Sequence, residues 1–123
     1  MALTKDVTPI WSGETFTADT PHASSSAVTV DDAYECALHV KITNGGTGPT
    51  LALGLQIEVS ADNSEFYEYG GPMMAGTASV GIYSWGGIVI PIGVEYVRLV
   101  VYQTNTDENV TVDADITEVT ALS

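Results

Sequence analysis

Two histidines, His22 and His39, are the imidazoles in this sequence that could act as a general base. Nucleophilic catalysis needs such a base beside a nucleophile and an orienting group. Residues 81–86 place Ser84 in a glycine-bounded segment that superficially resembles the nucleophile elbow of hydrolases. That motif requires glycine two residues before the serine, where this sequence has Ile82. We therefore predict no catalytic residues, and we expect that the protein is not an enzyme.

Acidic side chains could bind calcium or hydrolyse glycosides. Asp113 and Asp115 lie two residues apart, so both project from one face of a strand, and Asp107 and Glu108 occupy the preceding loop. An EF-hand loop starting at Asp113 would need glycine at its sixth position, where the sequence has Glu118. We interpret these carboxylates as a solvated outer face and predict no metal and no cofactor. A glycosidase pair stays open as an alternative, because carboxylates from different strands can meet in space.

Aromatic side chains could form a platform on which sugar rings stack. The candidates are Tyr67, Tyr69, Tyr83, Trp85, Tyr96 and Tyr102. The commoner role of such rings is to fill the core and its margins. Glycan binding is therefore kept as the alternative to a structural role.

The segment 71–76 contains two adjacent methionines, Met73 and Met74, between glycines. Neighbouring residues of a strand point to opposite sides, so the two cannot both face the core. Methionine adapts to contact surfaces, and we expect at least one of the pair to meet a partner. The other interpretation is a loop tucked over the open end of the domain. In all, six partner-contact residues are predicted: Trp11, Pro72, Met73, Met74, Tyr83 and Trp85.

The charge balance excludes two classes of partner. Three basic residues face 16 acidic ones, which gives a formal net charge of −13. Nucleic acids and anionic membranes both require clusters of Lys and Arg, so we predict neither as a partner. Residues 70–94 carry no charge, but two prolines and seven glycines preclude a membrane-spanning helix there. The single cysteine, Cys36, is expected to be a buried free thiol, and the first residues lack the apolar stretch of a signal peptide.

Apolar and polar residues alternate along several segments, which predicts strands with one buried face. The clearest of these strands are residues 36–43, 53–60, 94–102 and 110–117. Shorter strands are predicted at 66–69, 79–85 and 88–90, the last two separated by Gly86 and Gly87. His39 falls on the outward face of its strand and is expected to meet solvent. The pattern indicates an all-β fold, a single-domain antiparallel β-sandwich or jelly roll of seven to eight strands.

The N-terminal part of the chain differs from the rest because Thr, Ser, Asp and Pro dominate it. We predict that residues 1–25 form an extended N-terminal arm or edge segment, and that residues 26–123 form the β-sandwich domain. Short extended pieces are expected at 14–17 and 25–30.

Three runs, 55–67, 90–100 and 110–116, carry a family resemblance. Together they resemble hairpins in small accessory virion proteins of tailed bacteriophages, of the capsid decoration or cement type. The similarity extends from Cys36 to Ile116. It implies a homo-oligomer, with a trimer favoured, that binds the major capsid protein or another virion protein and has no catalytic residues. It also implies a place on the surface of the phage particle after synthesis in the bacterial cytoplasm.

The first hypothesis is therefore a non-enzymatic structural protein of a phage particle that stabilises the capsid lattice. The alternative is a carbohydrate-binding module or a receptor-binding accessory protein of the tail, because related hairpins also occur in discoidin-like carbohydrate-binding jelly rolls. A small hydrolase is the third and least favoured hypothesis.

Overall fold

The structure, a computed structural model, describes residues 3–16, 23–30, 35–49, 51–91, 93–103 and 108–122. These residues form ten strands: β1 (Leu3–Phe16), β2 (Ala23–Ser24), β3 (Val28–Thr29), β4 (Glu35–Asn44), β5 (Gly54–Ser60), β6 (Tyr67–Glu68), β7 (Met73–Met74), β8 (Ile82–Ile90), β9 (Tyr96–Gln103) and β10 (Val110–Leu122). The described part of the chain contains no helix, which agrees with the absence of a helical period in the sequence.

The strands form two antiparallel sheets. Sheet A has the order β1-β10-β4-β8, and sheet B has the order β2-β9-β5-β6. The two-residue strands β3 and β7 extend the edges of sheet B, since β3 also pairs with β9 and β7 also pairs with β5. The ten strands therefore fill eight strand positions, and the predicted antiparallel β-sandwich is confirmed.

The core lies between the sheets and follows the alternation in the sequence. In β4 and β10 the inward residues are buried: Cys36, Leu38, Val40, Ile42, Val110, Val112, Ala114 and Ile116. Sheet B contributes Leu55, Ile57, Val97, Leu99 and Val101 from β5 and β9. Each large aliphatic side chain removed from water in this way stabilises the fold by about 1.5–3 kcal/mol before the cost of ordering the chain. The outward residue His39 is half-buried rather than fully exposed.

Strand β8 corrects the prediction of two strands separated by Gly86 and Gly87. Its pairing with β4 steps from Leu38–Ile88 to Val40–Trp85, so β8 carries one extra residue at this point. Gly87 has a φ of 68°, which glycine adopts at little cost, and its amide donates a hydrogen bond to Nδ1 of His39 at 3.2 Å. The two glycines therefore form a β-bulge, and the strand continues through it.

Residues 3–16, which fall within the predicted arm, form the edge strand β1. It pairs with β10 from Leu3–Leu122 to Phe16–Val110, with three register shifts along the way. Residues 23–24 pair with β9, whereas residues 17–22 lie outside the described residues. The predicted division of the chain between residues 25 and 26 stays a prediction.

The loop before β8 is held by a buried asparagine. Asn44 is only 2% exposed, and its Nδ2 donates to the carbonyls of Gly76 and Ala78 at 2.9 and 3.0 Å. The amide of Val80 donates in turn to the carbonyl of Gly45 at 2.8 Å. These bonds fix the point at which the chain enters β8, and with it the position of that edge strand.

Candidate interaction surfaces

One segment along the side of the sandwich has no charged residue among the described positions. The described residues within 70–91, which we call the uncharged side, include β7 at one edge of sheet B and β8 at one edge of sheet A. The hydroxyl of Tyr69, which immediately precedes this stretch, donates to the carbonyl of Val89 at 2.7 Å and joins the two edges. This uncharged segment of the sequence therefore forms part of one lateral surface of the fold.

The uncharged side exposes large apolar side chains. Ile82 and Val89, at opposite ends of β8, are 65% and 57% exposed and point away from the core, while Ile90 beside them is buried. Val80, before the strand, is 69% exposed, and Met74 on β7 is 43% exposed. The sequence-based selection missed Ile82 and Val89, although a strand that is apolar on both faces is the signal that could have found them.

Strand β8 is also an unprotected edge. Among the described residues it pairs only with β4, and it contains no charged residue and no proline. The opposite edge of sheet A, β1, carries Pro9 together with Lys5, Asp6 and Glu14, and its register is broken three times. Charges, proline and bulges are the features that keep an edge strand from pairing with another chain. β1 has them all, whereas β8 has only its bulge.

Met73 requires a correction among the predicted contact residues. It is 4% exposed and belongs to the hydrophobic core, because the pairing of Met73 with Leu55 directs its side chain inward. Its neighbour Met74 points outward, and its sulfur accepts a hydrogen bond from the hydroxyl of Tyr102 at 2.7 Å. The expectation that the two methionines face opposite sides is therefore confirmed, and only Met74 is available to a partner.

The other predicted contact residues lie on two separate edges. Pro72 is exposed beside β7, and Tyr83 and Trp85 are half-buried on β8 with their rings packed against the core. Trp11 lies on β1, at the far edge of sheet A, where its ring meets Phe16 at 5.0 Å between centroids. The structure thus brings Pro72, Tyr83 and Trp85 to the uncharged side and leaves Trp11 apart. Their role in partner contact stays a prediction.

The outer face of sheet A holds the residues first considered for catalysis. His39 and Lys41 on β4 lie opposite Asp115 and Asp113 on β10, in a depression of about 370 Å³ that Ser84 also lines. The positive charge of Lys41 complements the negative charge of Asp113 opposite it. Within the described chain no serine, threonine or cysteine hydroxyl or thiol is hydrogen-bonded to His39, whose Nδ1 accepts from Gly87 instead. The absence of enzymatic activity stays a prediction, and His22 and Asp107 lie outside the described residues.

The outer face of sheet B contains a second groove, of about 410 Å³. It is lined by Gln56, Glu58, Glu68, Pro72, Val100 and Tyr102. Glu58 on β5 lies directly opposite Glu68 on β6. Arg98 contacts Glu58 from the other side, with its Nη2 2.7 Å from Oε1 of the carboxylate. This groove therefore combines two carboxylates, of which Arg98 pairs with that of Glu58, with apolar walls.

Among the described residues, the pKa values of Cys36 and Asp62 are shifted by their surroundings. Burial raises the pKa of the Cys36 thiol, and the carboxylates of Glu118 and Glu35 raise it further. The thiol is free and buried, as predicted. The backbone amides of Glu65 and Ser64, followed by the hydroxyl of Ser60, lower the pKa of Asp62 by donating hydrogen bonds to its carboxylate. Asp62 is fully exposed in a turn, so its lowered pKa results from the hydrogen bonds that form the turn and does not indicate a functional site.

Three further expectations concern ligands and membranes. No three His, Cys, Asp or Glu side chains converge to hold a metal among the residues for which the structure gives positions. The same residues include no helix of the length and hydrophobicity that crossing a bilayer requires. Of the aromatic rings proposed as a sugar platform, Tyr67 is 63% exposed, whereas Tyr69, Tyr83 and Trp85 pack against the core. Tyr96 and Tyr102 are half-buried on β9.

The fold recurs in chains of infectious bursal disease virus. The T13 particle of this virus has a chain that matches with a TM-score of 0.60 at 9% identity, over 95% of this chain and 31% of that chain. A chain of the Gt strain matches with 0.58 at 9% identity, over 96% and 32%. The VP2 subviral particle gives 0.54 at 9% identity, over 94% and 32%. This chain therefore spans about a third of the length of the virus chains, and at such identity the likeness shows the fold alone. No protein-family model and no curated protein matches the sequence.

Proposed function

We propose that this chain is a non-enzymatic structural protein of a virus particle, of the capsid decoration type, which associates with virion subunits through its uncharged side. The observation that carries the proposal is the edge strand β8, which is uncharged, has no strand paired to its outer edge within the described chain, and carries or adjoins the exposed side chains of Val80, Ile82 and Val89. Such an edge can accept a strand from another chain, which would extend sheet A across the interface.

The charge distribution explains why this side is suited to association. Copies of a chain with a net charge of −13 repel one another at separations within the Debye length, which is about 8 Å at physiological salt. Contact centred on β8 places no carboxylate of that strand against the partner. The same contact removes exposed apolar surface from water, at about 25 cal/mol for each Å².

Two likenesses support the assignment to a virion. The fold matches chains of infectious bursal disease virus particles, and the runs 55–67, 90–100 and 110–116 resemble tailed-phage decoration proteins. On this proposal the protein lies on the particle surface after synthesis in the bacterial cytoplasm. It contacts the major capsid protein or another virion protein, and it forms a homo-oligomer, with a trimer favoured.

The experiment compares two substitutions of exposed valines in sheet A. Val89 on β8 is 57% exposed and Val7 on β1 is 63% exposed, so Val89→Lys and Val7→Lys change similar surfaces on opposite edges. Size-exclusion chromatography with light scattering should show an oligomer for the wild type and for Val7→Lys, and a monomer for Val89→Lys. Circular dichroism should show that all three proteins fold.

Two results would contradict this proposal. If the wild type stays monomeric at high concentration, the chain does not self-associate. If both substitutions have the same effect on the oligomer, β8 is not the surface through which it forms. A monomer that binds glycans on an array would favour the alternative, a carbohydrate-binding or receptor-binding accessory protein.

A further inference from the structure

We propose that the groove on the outer face of sheet B binds a cationic side chain, arginine or lysine, of a protein partner. Its first feature is the pair Glu58 and Glu68, which lie directly opposite on β5 and β6. Like charges in that position destabilise a sheet. Arg98 compensates Glu58 alone, and no described residue bonds the exposed carboxylate of Glu68. An external cation would remove the repulsion that the fold leaves uncompensated.

The second feature is a buried amide whose orientation is fixed. Gln56 is 8% exposed, and its Nε2 donates to the carbonyl of Ile57 at 3.0 Å and to those of Tyr69 and Gly70 at 3.4 Å. These bonds occupy the amide nitrogen, and no described residue donates to its Oε1. Because the side chain lines the groove, the amide oxygen is an acceptor available to a ligand there.

The third feature is an apolar wall formed by Pro72, Val100 and Tyr102. The hydroxyl proton of Tyr102 is already used in the bond to the sulfur of Met74. The groove therefore offers acceptors and apolar surface, but few donors. A guanidinium has five donors and no acceptor, and an aliphatic stem packs along apolar surface, so arginine matches every part of the site.

A neutral saccharide matches it less well, because its hydroxyl and ring oxygens need donors as well as acceptors. The volume of about 410 Å³ lies in the range of about 300–1,000 Å³ that ligand sites occupy, which suffices for one long side chain. The acidic net charge would also draw a basic partner toward the chain. This site lies on the outer face of sheet B and does not depend on the association of β8 or on a virion function.

The test titrates ¹⁵N-labelled protein with N-acetyl-arginine amide and follows amide chemical shifts. Saturable shifts are expected at Glu58, Glu68 and Val100. Glu68→Gln should weaken binding by about fivefold or more, because a charge-assisted hydrogen bond is lost. The control Glu14→Gln removes one charge from β1, in the other sheet, and should change the affinity by less than about twofold, as screening of a distant charge requires.

Three ligands and one further variant decide the outcome. N-acetyl-citrulline amide, which has the same shape without the charge, should bind about fivefold more weakly or worse. Equal binding of citrulline, equal losses in Glu68→Gln and Glu14→Gln, or no shifts in the groove would each overturn the proposal. Calcium chloride or cellobiose that moved the same amides at lower concentration would assign the groove to a metal or a glycan instead. The Val89→Lys variant should bind the arginine probe as the wild type does, which separates this site from the association of β8.

Discussion

Arg98 and Glu58 face each other across β9 and β5, with Nε and Nη2 of the guanidinium 2.8 and 2.7 Å from the same carboxylate oxygen, Oε1. The guanidinium also lies over the ring of Phe66, 3.7 Å from its centroid. One side chain thus joins the central pair of sheet B to the turn that follows β5. This combination of an ion pair and a cation–π contact is partly screened by water, since both charged side chains are partly exposed.

Replacing Arg98 should destabilise the domain to a modest extent. Arg98→Met removes a partly exposed ion pair and a cation–π contact, each worth up to about 1 kcal/mol, so we expect a loss of about 1–2 kcal/mol. Arg98→Lys keeps the charge and should lose about half as much, because an ammonium lacks the planar fork. Urea unfolding measures both variants. A midpoint unchanged in Arg98→Met would show that neither contact contributes.

The adjacent methionines should respond very differently to truncation. Met73 is 4% exposed in the core, so Met73→Ala leaves a cavity and should cost about 2–5 kcal/mol. Met74 is 43% exposed, and Met74→Ala should change stability by about 0.5 kcal/mol or less, as is usual at the surface. Thermal or urea unfolding of the two variants checks this. Similar losses in both would mean that Met74 also packs inward.

The turn between β4 and β5 should tolerate a methyl group at one glycine and reject it at another. A Cβ at Gly48 would overlap the backbone carbonyl oxygen of Thr77, and backbone cannot move aside as a flexible side chain can. Gly48→Ala should therefore cost about 1–3 kcal/mol through overpacking. Gly46 has no atom within 4 Å of that position, so Gly46→Ala serves as the control and should be nearly neutral. Equal midpoints in urea would contradict the close approach of the two loops.

The strands with regular alternation could be predicted from sequence, because the pattern of apolar and polar residues that identifies a strand lies within the strand itself. β4, β9 and β10 each have one buried and one outward face, and the two-residue period identifies both, whereas β5 is buried on both faces from Gly54 to Ile57. The pairing of β1 with β10 could not be predicted in this way, because it joins residues that are 119 positions apart at one end (Leu3 and Leu122) and 94 apart at the other (Phe16 and Val110). Pro9 and the three register shifts also interrupt the alternation in β1, so the sequence indicated only an arm or edge segment.

The contact surface was predicted only in part, for a physical reason. Alternation shows that Met73 and Met74 face opposite sides, but only the pairing of Met73 with Leu55 determines which of them is buried. Tyr83 and Trp85 on β8 were predicted to contact a partner, yet their rings pack against the core. The exposed side chains of this strand are instead those of Ile82 and Val89. Which side chains of β7 and β8 face the core depends on the strands with which they pair, and the local sequence does not identify those strands.

The turn at Asp62 should make stability depend on pH in a defined direction. Its carboxylate Oδ1 accepts hydrogen bonds from the amides of Ser64 and Glu65 at 2.9 and 3.0 Å and from the hydroxyl of Ser60 at 3.1 Å. These bonds favour the ionised form, so the pKa of Asp62 is lower in the folded chain than the usual value of about 4 in the unfolded chain. Between the two values the unfolded chain binds more protons, and stability rises with pH.

The contribution of Asp62 is therefore complete above about pH 5 and is lost as the pH falls through its lowered pKa. Asp62→Asn, which keeps the shape of the side chain but removes its charge, should be less stable than the wild type at pH 7. The gap between the two proteins should narrow as the pH falls from about 5, because protonation of the wild-type carboxyl then removes its charge as well. Urea unfolding of both proteins over this range measures the gap, in which the titration of the other carboxylates cancels. A gap that stays constant with pH would show that the charge of Asp62 contributes nothing to the turn.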